Sequence, residues 1–132
     1  MTYLLDTHAF LWAAFSPENL SSTASKEIRS AENRVFLSTI SLWEISLKYA
    51  LGKIDLENCK PDDMPEIAAQ MHIQVIQPTD GETASFYRLP RAAHKDPFDR
   101  MIIWQAIQQK IVLISKDAHF PEYEKFGLTV LW

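Results

Sequence analysis

The sequence has 132 residues, enough for one domain with a hydrophobic core of ordinary size. Hydrophobic residues make up 47% and charged residues 23%, which is typical of a soluble globular protein. With 3 glycines and 7 prolines, the composition leaves little room for disorder or a low-complexity tail. The formal charge of -4 argues against a general nucleic-acid binder with a basic surface, but not against an enzyme that meets nucleic acid through divalent cations.

The first half of the sequence alternates short apolar runs with helical patterns. Such runs are consistent with buried strands, whereas apolar residues three and four positions apart indicate helices. A helix opening at Ser41 would end near Leu51, with Gly52 as its stop, and its apolar residues predict that it is largely covered. The predicted elements are strands at 3–5 and 35–38 and helices at 9–15, 21–29 and 41–51.

The second half continues this alternation. The run at 111–115 is the clearest strand, because it is continuous, β-branched and suited to burial on both faces. The four residues from Thr79 to Glu82 predict the cap of a helix. The predicted elements are helices at 66–72, 79–89 and 97–109, strands at 73–76, 111–115 and 128–132, and a loop with a short helix at 120–127.

Strands that alternate with helices predict an α/β fold. We expect a central parallel sheet of four to five strands, flanked by helices in a three-layer α/β/α arrangement. Ligands collect at the carboxyl ends of the strands in such sheets. That edge is therefore where functional side chains are expected.

Four acids are predicted to fall at this edge. Asp6 ends the first strand, and Asp117 lies just beyond the strand at 111–115. Glu44 lies in the helix that leaves the second strand. Asp99 lies in the first turn of a helix that runs antiparallel to the strands, so that helix begins over their carboxyl ends.

The stretch 94–100 holds the densest group of charges, and it has a purely structural explanation. Pro97 suits the first helical position, with Asp96 as the N-cap, which places Asp99 beside unpaired amides at the positive end of the helix dipole. These two acids could be a cap and a helix-charge complement alone. Three further acids at the same edge favour a shared site, in which Asp96 is kept as the cap.

The other acids also have structural alternatives. Thr7 or the amides of the next helix could satisfy Asp6. Glu44 stands three positions after Ser41, the spacing of a capping box, so a structural role is equally consistent with the local sequence. Asp117 could be a turn residue or the N-cap of the short segment that follows.

Four carboxylates at one edge would repel one another unless a cation joined them. Mg²⁺ or Mn²⁺ prefers oxygen ligands, makes a bound water easier to deprotonate and neutralises charge on a phosphoryl oxygen. A phosphodiester is therefore the natural substrate. The sequence has no Gly-rich phosphate loop, serine nucleophile elbow or H-E-x-x-H motif that would favour another chemistry.

Several neighbouring residues are candidates for supporting roles. His94 could join Asp96 and Asp99 in a histidine–carboxylate metal site, although a surface or substrate-facing position is preferred. Arg100 could pair with Asp96 or meet a phosphate, and a paired structural role is preferred. The candidates for phosphate contacts are Lys48, Arg91, Lys95 and Lys116. Trp12, Trp43, Trp104 and Trp132 are assigned to the core.

The sequence resembles the PIN-domain ribonucleases and, within them, the VapC-type toxins of bacterial type II toxin–antitoxin pairs. The resemblance is carried, in the family's order, by LLDTH at 4–8, SLWEI at 41–45, HKDPFDRMI at 94–102 and SKD at 115–117. It implies a single PIN domain over 1–132. It also implies that Asp6, Glu44, Asp99 and Asp117 hold Mg²⁺ or Mn²⁺ and cleave RNA endonucleolytically.

The resemblance carries further implications for the site and the partners. Ser115 stands where such proteins often have a hydroxyl that orients a water or a carboxylate. The family implies an RNA substrate, a cognate antitoxin, and a homodimer that often joins a larger complex with antitoxin. The supporting or substrate-facing residues are taken as Thr7, His94, Asp96, Arg100, Ser115 and Lys116.

The expected setting is the cytoplasm, with no membrane partner. The single cysteine, Cys59, excludes an internal disulfide and a cysteine-ligated structural zinc site. The first residues lack the basic region of a signal peptide, and no apolar run is long enough to span a bilayer.

The preferred function is a metal-dependent endoribonuclease that acts as a toxin. A metal-activated water would attack the phosphate, with Asp6, Asp99 and Asp117 coordinating and Glu44 completing the shell or assisting proton transfer. The alternatives are a metal-dependent phosphoesterase acting on DNA or a small phosphate ester, and a non-catalytic module that binds RNA or protein.

Overall fold

Five parallel strands form one sheet in the computed structural model, which describes residues 1–132. The strands are β1 (Thr2–Leu5), β2 (Arg34–Ser38), β3 (Ile73–Ile76), β4 (Val112–Ile114) and β5 (Val130–Leu131). Side by side they run β3-β2-β1-β4-β5, and each neighbouring pair is parallel. The order reverses between β1 and β4, and such a switch point opens a crevice at the carboxyl ends of the strands.

Six α-helices connect the strands, together with short 3₁₀ segments. Each predicted helix of the sequence is present, with bounds that shift by a few residues. No helix is both long and apolar enough to cross a membrane. The helices are α1 (Thr7–Phe15), α2 (Ser22–Arg29), α3 (Thr39–Ala50), α4 (Met64–Gln70), α5 (Asp80–Ser85) and α6 (Pro97–Gln109).

Two hydrophobic clusters cover the two faces of the sheet. Successive side chains of a strand point to opposite faces, so Leu4 belongs to one cluster and Leu5 to the other. Leu4 packs in the cluster that contains Ile102 and Ile103 of α6, whereas Leu5 packs in the cluster that contains Phe10 of α1. The predicted α/β fold with a parallel sheet between helical layers is confirmed.

The start of α3 differs from its prediction. The helix begins at Thr39, because the side chain of Ser38 accepts a hydrogen bond from the amide of Ile40 at 3.1 Å and acts as the N-cap. Ser41 therefore lies inside the helix, and the capping-box interpretation of Ser41 and Glu44 is wrong. The last two strands in the sequence, β4 and β5, are also shorter than their apolar runs predict.

The predicted burial of α3 is wrong on one face. Trp43 is 61% exposed and Leu51 is 59% exposed, and Leu47 between them is exposed as well. These residues stand four positions apart and form a single row, which we call the α3 apolar stripe. The periodic pattern was correct for a helix, but only Ile45 and Leu42 face the core cluster on the other side. The assignment of Trp43 to the core is therefore also wrong.

We predict that Leu113→Ala lowers the free energy of unfolding by about 2–5 kcal/mol, because it leaves a cavity in the central strand β4. Leu113 is fully buried between β1 and the α6 layer. Urea unfolding measures the loss. Tyr87→Ala, at a side chain that is 78% exposed, is the matched control and should change stability by less than about 1 kcal/mol. Equal losses for the two variants would contradict the assignment of the core.

Candidate active site

Asp6 is fixed from both sides at the switch point of the sheet. Its backbone amide donates to the carbonyl of Ile114 in β4 at 3.1 Å. Its side-chain oxygen Oδ1 accepts from the amide of Ala9 at 2.7 Å and caps α1. The structural alternative, satisfaction by the next helix's amides, thus applies to Oδ1 of Asp6.

Asp117 follows β4 on the other side of the switch point. The amide of Asp117 donates to the hydroxyl oxygen of Ser115 at 3.1 Å, and the same hydroxyl hydrogen-bonds the Asp6 carboxyl. Ser115 therefore links two acids that are more than a hundred positions apart. One oxygen of Asp117 accepts from the amide of His119 at 2.8 Å and lies 3.0 Å from its Nδ1, which is a turn-forming use of this residue.

Glu44 projects from α3 with both carboxylate oxygens occupied. Oε1 accepts from the Thr7 hydroxyl at 2.5 Å, and Oε2 pairs with the Lys48 ammonium at 2.5 Å. Thr7 also contacts the hydroxyl of Ser41 at 3.0 Å, so α1 and α3 are joined here by buried polar groups. Lys48, a candidate for a phosphate contact, is thus paired with an acid of the site.

Asp99 lies in the first turn of α6, as predicted, with Asp96 as the N-cap. The carboxylate of Asp96 accepts from the amide of Asp99 at 3.0 Å. Oδ2 of Asp99 lies 3.1 Å from Nε2 of His94, whose side chain is only 9% exposed. His94 is therefore inside the site and not on the surface.

A chain of polar contacts extends from His94 away from the acids. The phenol oxygen of Tyr123 lies 3.3 Å from Nδ1 of His94 and accepts from the Arg100 guanidinium at 2.9 Å. Arg100 also donates to the carbonyls of Leu89 and Pro90, both at 3.2 Å. Arg100 is thus paired with two carbonyls and a phenol, and not with Asp96.

No local pattern in the sequence indicates that Tyr123 belongs to this chain of contacts. Tyr123 lies in a 3₁₀ segment at Phe120–Phe126, is completely buried, and looks like an ordinary core aromatic. His119 was missed as well, although its ring stacks on that of His94 with centroids 5.4 Å apart. Its position two residues after Asp117 is the one local signal that could have indicated it.

The acids converge into two overlapping groups that could each hold a metal ion. Within each group the potential ligand atoms lie within 4.8 Å of one another, and Asp99 belongs to both. Asp6 adjoins the first group through Ser115 and the charge of Asp117. The first group is His94, Asp99 and Asp117, and the second is Glu44, Asp96 and Asp99.

The electrostatics of the site disfavour several bare carboxylates. Burial raises the pKa of Asp6 and outweighs the hydrogen bond from Ser115. Burial, together with the negative charges of Asp96 and Glu44, raises the pKa of Asp99 to about 6. A carboxylate set that resists ionisation is the kind of site that a divalent cation stabilises.

For two other groups, the pKa shifts in the direction opposite to the one that burial favours. Burial would raise the pKa of Asp117, but hydrogen bonds from the amide and ring of His119 hold that pKa below its ordinary value. Partial burial would lower the pKa of Lys48, but its hydrogen bond to Glu44 and the nearby acids raise that pKa. Asp117 and Lys48 are therefore charged members of the site.

Exposed cations border the acids on the side of the loop before α6. Arg91 and Lys95 line a cavity of about 370 Å³ together with His94 and Arg100. Lys116 is exposed too, and its ammonium lies 5.8 Å from the ring centroid of Trp12. Arg91, Lys95 and Lys116 are therefore placed to meet a ligand that carries negative charge.

The sequence of this chain is similar to those of known proteins. The sequence model of the PIN domain matches residues 3–126. Ribonuclease VapC22 of Mycobacterium tuberculosis is 27% identical over 131 residues, which cover 99% of this chain and 98% of that protein.

Solved structures show the same fold. VapBC2 from Rickettsia felis, bound to a DNA fragment from its promoter, has a TM-score of 0.68 at 17% identity, covering 99% of this chain and 98% of the matched chain. VapBC-1 from nontypeable Haemophilus influenzae has a TM-score of 0.64 at 18% identity, covering 99% of this chain and 97% of the matched chain.

We predict that the raised pKa of Asp99 makes metal-free protein less stable as the pH rises. The folded state holds this proton up to a pH of about 6, whereas an unfolded aspartate releases it near 4, so unfolding becomes easier between these values. From pH 4.5 to 7.5 this group should remove about 2 kcal/mol of unfolding free energy.

Urea unfolding in EDTA at the two pH values measures this effect. Asp99→Asn has no such proton and should lose about 2 kcal/mol less than the wild type. Asp62→Asn, at an exposed acid outside the site, is the control and should follow the wild type. A parallel pH dependence in wild type and Asp99→Asn would show that Asp99 ionises normally.

Proposed function

The chain belongs to the PIN-domain family, and from that premise we propose that it is a metal-dependent endoribonuclease, the toxin of a toxin–antitoxin pair. The observation that carries this proposal is the clustering of Asp99 with Asp117 and with Glu44, next to Asp6, where burial raises the pKa of both Asp6 and Asp99. The full-length likeness to a ribonuclease VapC supports the RNA substrate. We also propose that residues 1–132 form one domain.

The donor set fits a hard divalent cation. Carboxylate oxygens predominate, one imidazole is present, and no thiolate is near, which suits Mg²⁺ or Mn²⁺ and disfavours softer metals. Asp6, Asp99 and Asp117 would hold the ion, with Glu44 completing the negative shell. When bound, the ion supplies a Lewis acid that favours deprotonation of an attacking water and neutralises charge on the phosphate.

The chain's own residues then orient the reacting groups. The helix cap and Ser115 hold Asp6 in one orientation, and His94 holds Asp99 through Oδ2. A carboxylate that is fixed in this way needs no reorganisation when charge develops beside it. Arg91 and Lys95 would bind neighbouring phosphates of the RNA strand, which steers a polyanion toward an acidic site.

The proposed partners are a cognate antitoxin and a second copy of the chain. Relatives of the same fold have been solved as VapBC complexes, which supports an antitoxin partner and the larger assembly. The α3 apolar stripe supports the homodimer, because exposed side chains such as Trp43 and Leu51 in a row commonly mark a contact between proteins.

The chemical test compares three substrates. Purified protein is incubated with single-stranded RNA, DNA of the same sequence and a chromogenic phosphate ester, each with Mg²⁺, Mn²⁺ or EDTA. The proposal expects endonucleolytic cleavage of RNA alone, and only with a divalent ion. Cleavage of DNA or the ester would favour a general phosphoesterase, and metal-independent binding without cleavage would favour a non-catalytic module.

We predict that Asp6→Asn lowers Mg²⁺-dependent RNA cleavage by about 100-fold or more while the fold is retained. Asparagine is as good an N-cap as aspartate, so the cap of α1 survives and only the negative charge is lost. Cleavage rates and thermal melting measure the two effects. Asp62→Asn is the matched control, and wild-type rates in pure Asp6→Asn protein would refute the role of Asp6.

We predict that Leu47→Glu shifts the chain from dimer to monomer, because it places a charge in the centre of the α3 apolar stripe. Light scattering after size exclusion, or sedimentation equilibrium, measures the mass. Ala31→Glu, on an exposed turn before β2, is the control and should remain dimeric. A dimer that survives Leu47→Glu would place the subunit contact on another surface.

A further inference from the structure

The two overlapping acid groups differ in one respect that bears on how many ions they hold. The group of His94, Asp99 and Asp117 contains carboxylates with no lysine or arginine bonded to them. The group of Glu44, Asp96 and Asp99 already has a cation within it, the ammonium of Lys48. In this half of the site the protein itself therefore supplies a positive charge that offsets one of the three carboxylates.

The contacts of Glu44 show how completely this half is occupied. One oxygen accepts the Thr7 hydroxyl and the other meets Nζ of Lys48, each at 2.5 Å. An ion coordinated by Glu44 would have to share one of these oxygens with a hydrogen bond that is already present. A second divalent ion in this half would also lie against the Lys48 ammonium, which repels it.

We propose that Lys48 is a positioning residue that takes the place of a second divalent ion, so that this chain binds one ion, in the half formed by Asp99 and Asp117. The inference rests on the proposed function and adds the number of ions to it. Lys48 acts through Glu44, which it holds out of the coordination shell. Glu44 then supplies charge from outside that shell and does not serve as a direct ligand.

An ordinary surface ion pair does not explain this contact. Pairs spaced four residues apart on a helix are usually exposed and contribute little. Here the Glu44 side chain is only 3% exposed and the Lys48 side chain 32%. A buried carboxylate without a partner is costly, so Glu44 needs a cation, and either Lys48 or a metal ion can fill that need.

Metal stoichiometry tests the inference without relying on activity. Metal-free protein is titrated with Mn²⁺, and the free ion is measured by electron paramagnetic resonance. Wild type should bind one Mn²⁺ per chain. Lys48→Met should bind two, with an affinity for the second ion raised about tenfold or more, because a like charge is removed and Glu44 is released.

Matched variants separate this effect from a general loss of structure. Lys48→Arg keeps the cation and should bind one ion, as should Lys53→Met, which removes an exposed lysine outside the site. Adding Glu44→Gln to Lys48→Met should return the stoichiometry to one. Lys48→Gln is a second neutral variant, used if the methionine variant melts below the assay temperature.

The outcomes are distinguishable from failure of the proposed function. Two ions of similar affinity in wild type that cleaves RNA would overturn the inference alone. One ion in folded Lys48→Met would overturn it as well, because Lys48 would then not be what excludes the second. Wild type that neither binds Mn²⁺ nor cleaves RNA would overturn the inference and the proposed function together.

Discussion

Repulsion among buried carboxylates is the constraint around which this molecule is arranged. Parallel strands bring Asp6 and Asp117 to one crevice, and the helices that leave and enter the sheet add Glu44 and Asp99. Low dielectric surroundings make such a cluster costly, as the pKa of about 6 at Asp99 indicates. The fold offsets the cost with helix N-termini at α1 and α6 and the Lys48 ammonium, and the imidazole of His94 adds a hydrogen bond to Asp99.

Structural and functional roles therefore coincide in the same carboxylates. Asp6 caps α1 with one oxygen, and the cap holds the other oxygen in a fixed direction. Asp96 caps α6 and thereby sets the turn that presents Asp99. Helix capping is often regarded as a purely structural role that competes with a role in a functional site. Here the cap is what orients the carboxylate. This is why an asparagine at position 6 separates the two roles.

Much of this could be predicted from the sequence because its signals are local. A β-branched run such as 111–115 and the Asp96–Pro97 helix start depend on a few adjacent residues, and parallel topology then places the acids that follow strands. The contacts that set the site's detail are not local. Tyr123 contacts His94, which lies 29 positions earlier in the sequence, and Thr7 donates to Glu44, 37 positions later. The sequence pattern predicts neither contact.

The same limit explains the misjudged helix α3. Apolar residues on two adjoining faces predict a helix, but they do not tell which face the rest of the fold covers. Ile45 faces the core, whereas Trp43, Leu47 and Leu51 do not.

Helix α3 consequently has two different surfaces with two different tasks. One face carries Glu44 and Lys48 into the site, and the neighbouring face carries the α3 apolar stripe. Trp43 stands directly before Glu44 in the chain, and its ring lies 5.1 Å from that of Phe98, the residue before Asp99. The α3 apolar stripe therefore adjoins the acid cluster, because Trp43 contacts the residue that precedes Asp99.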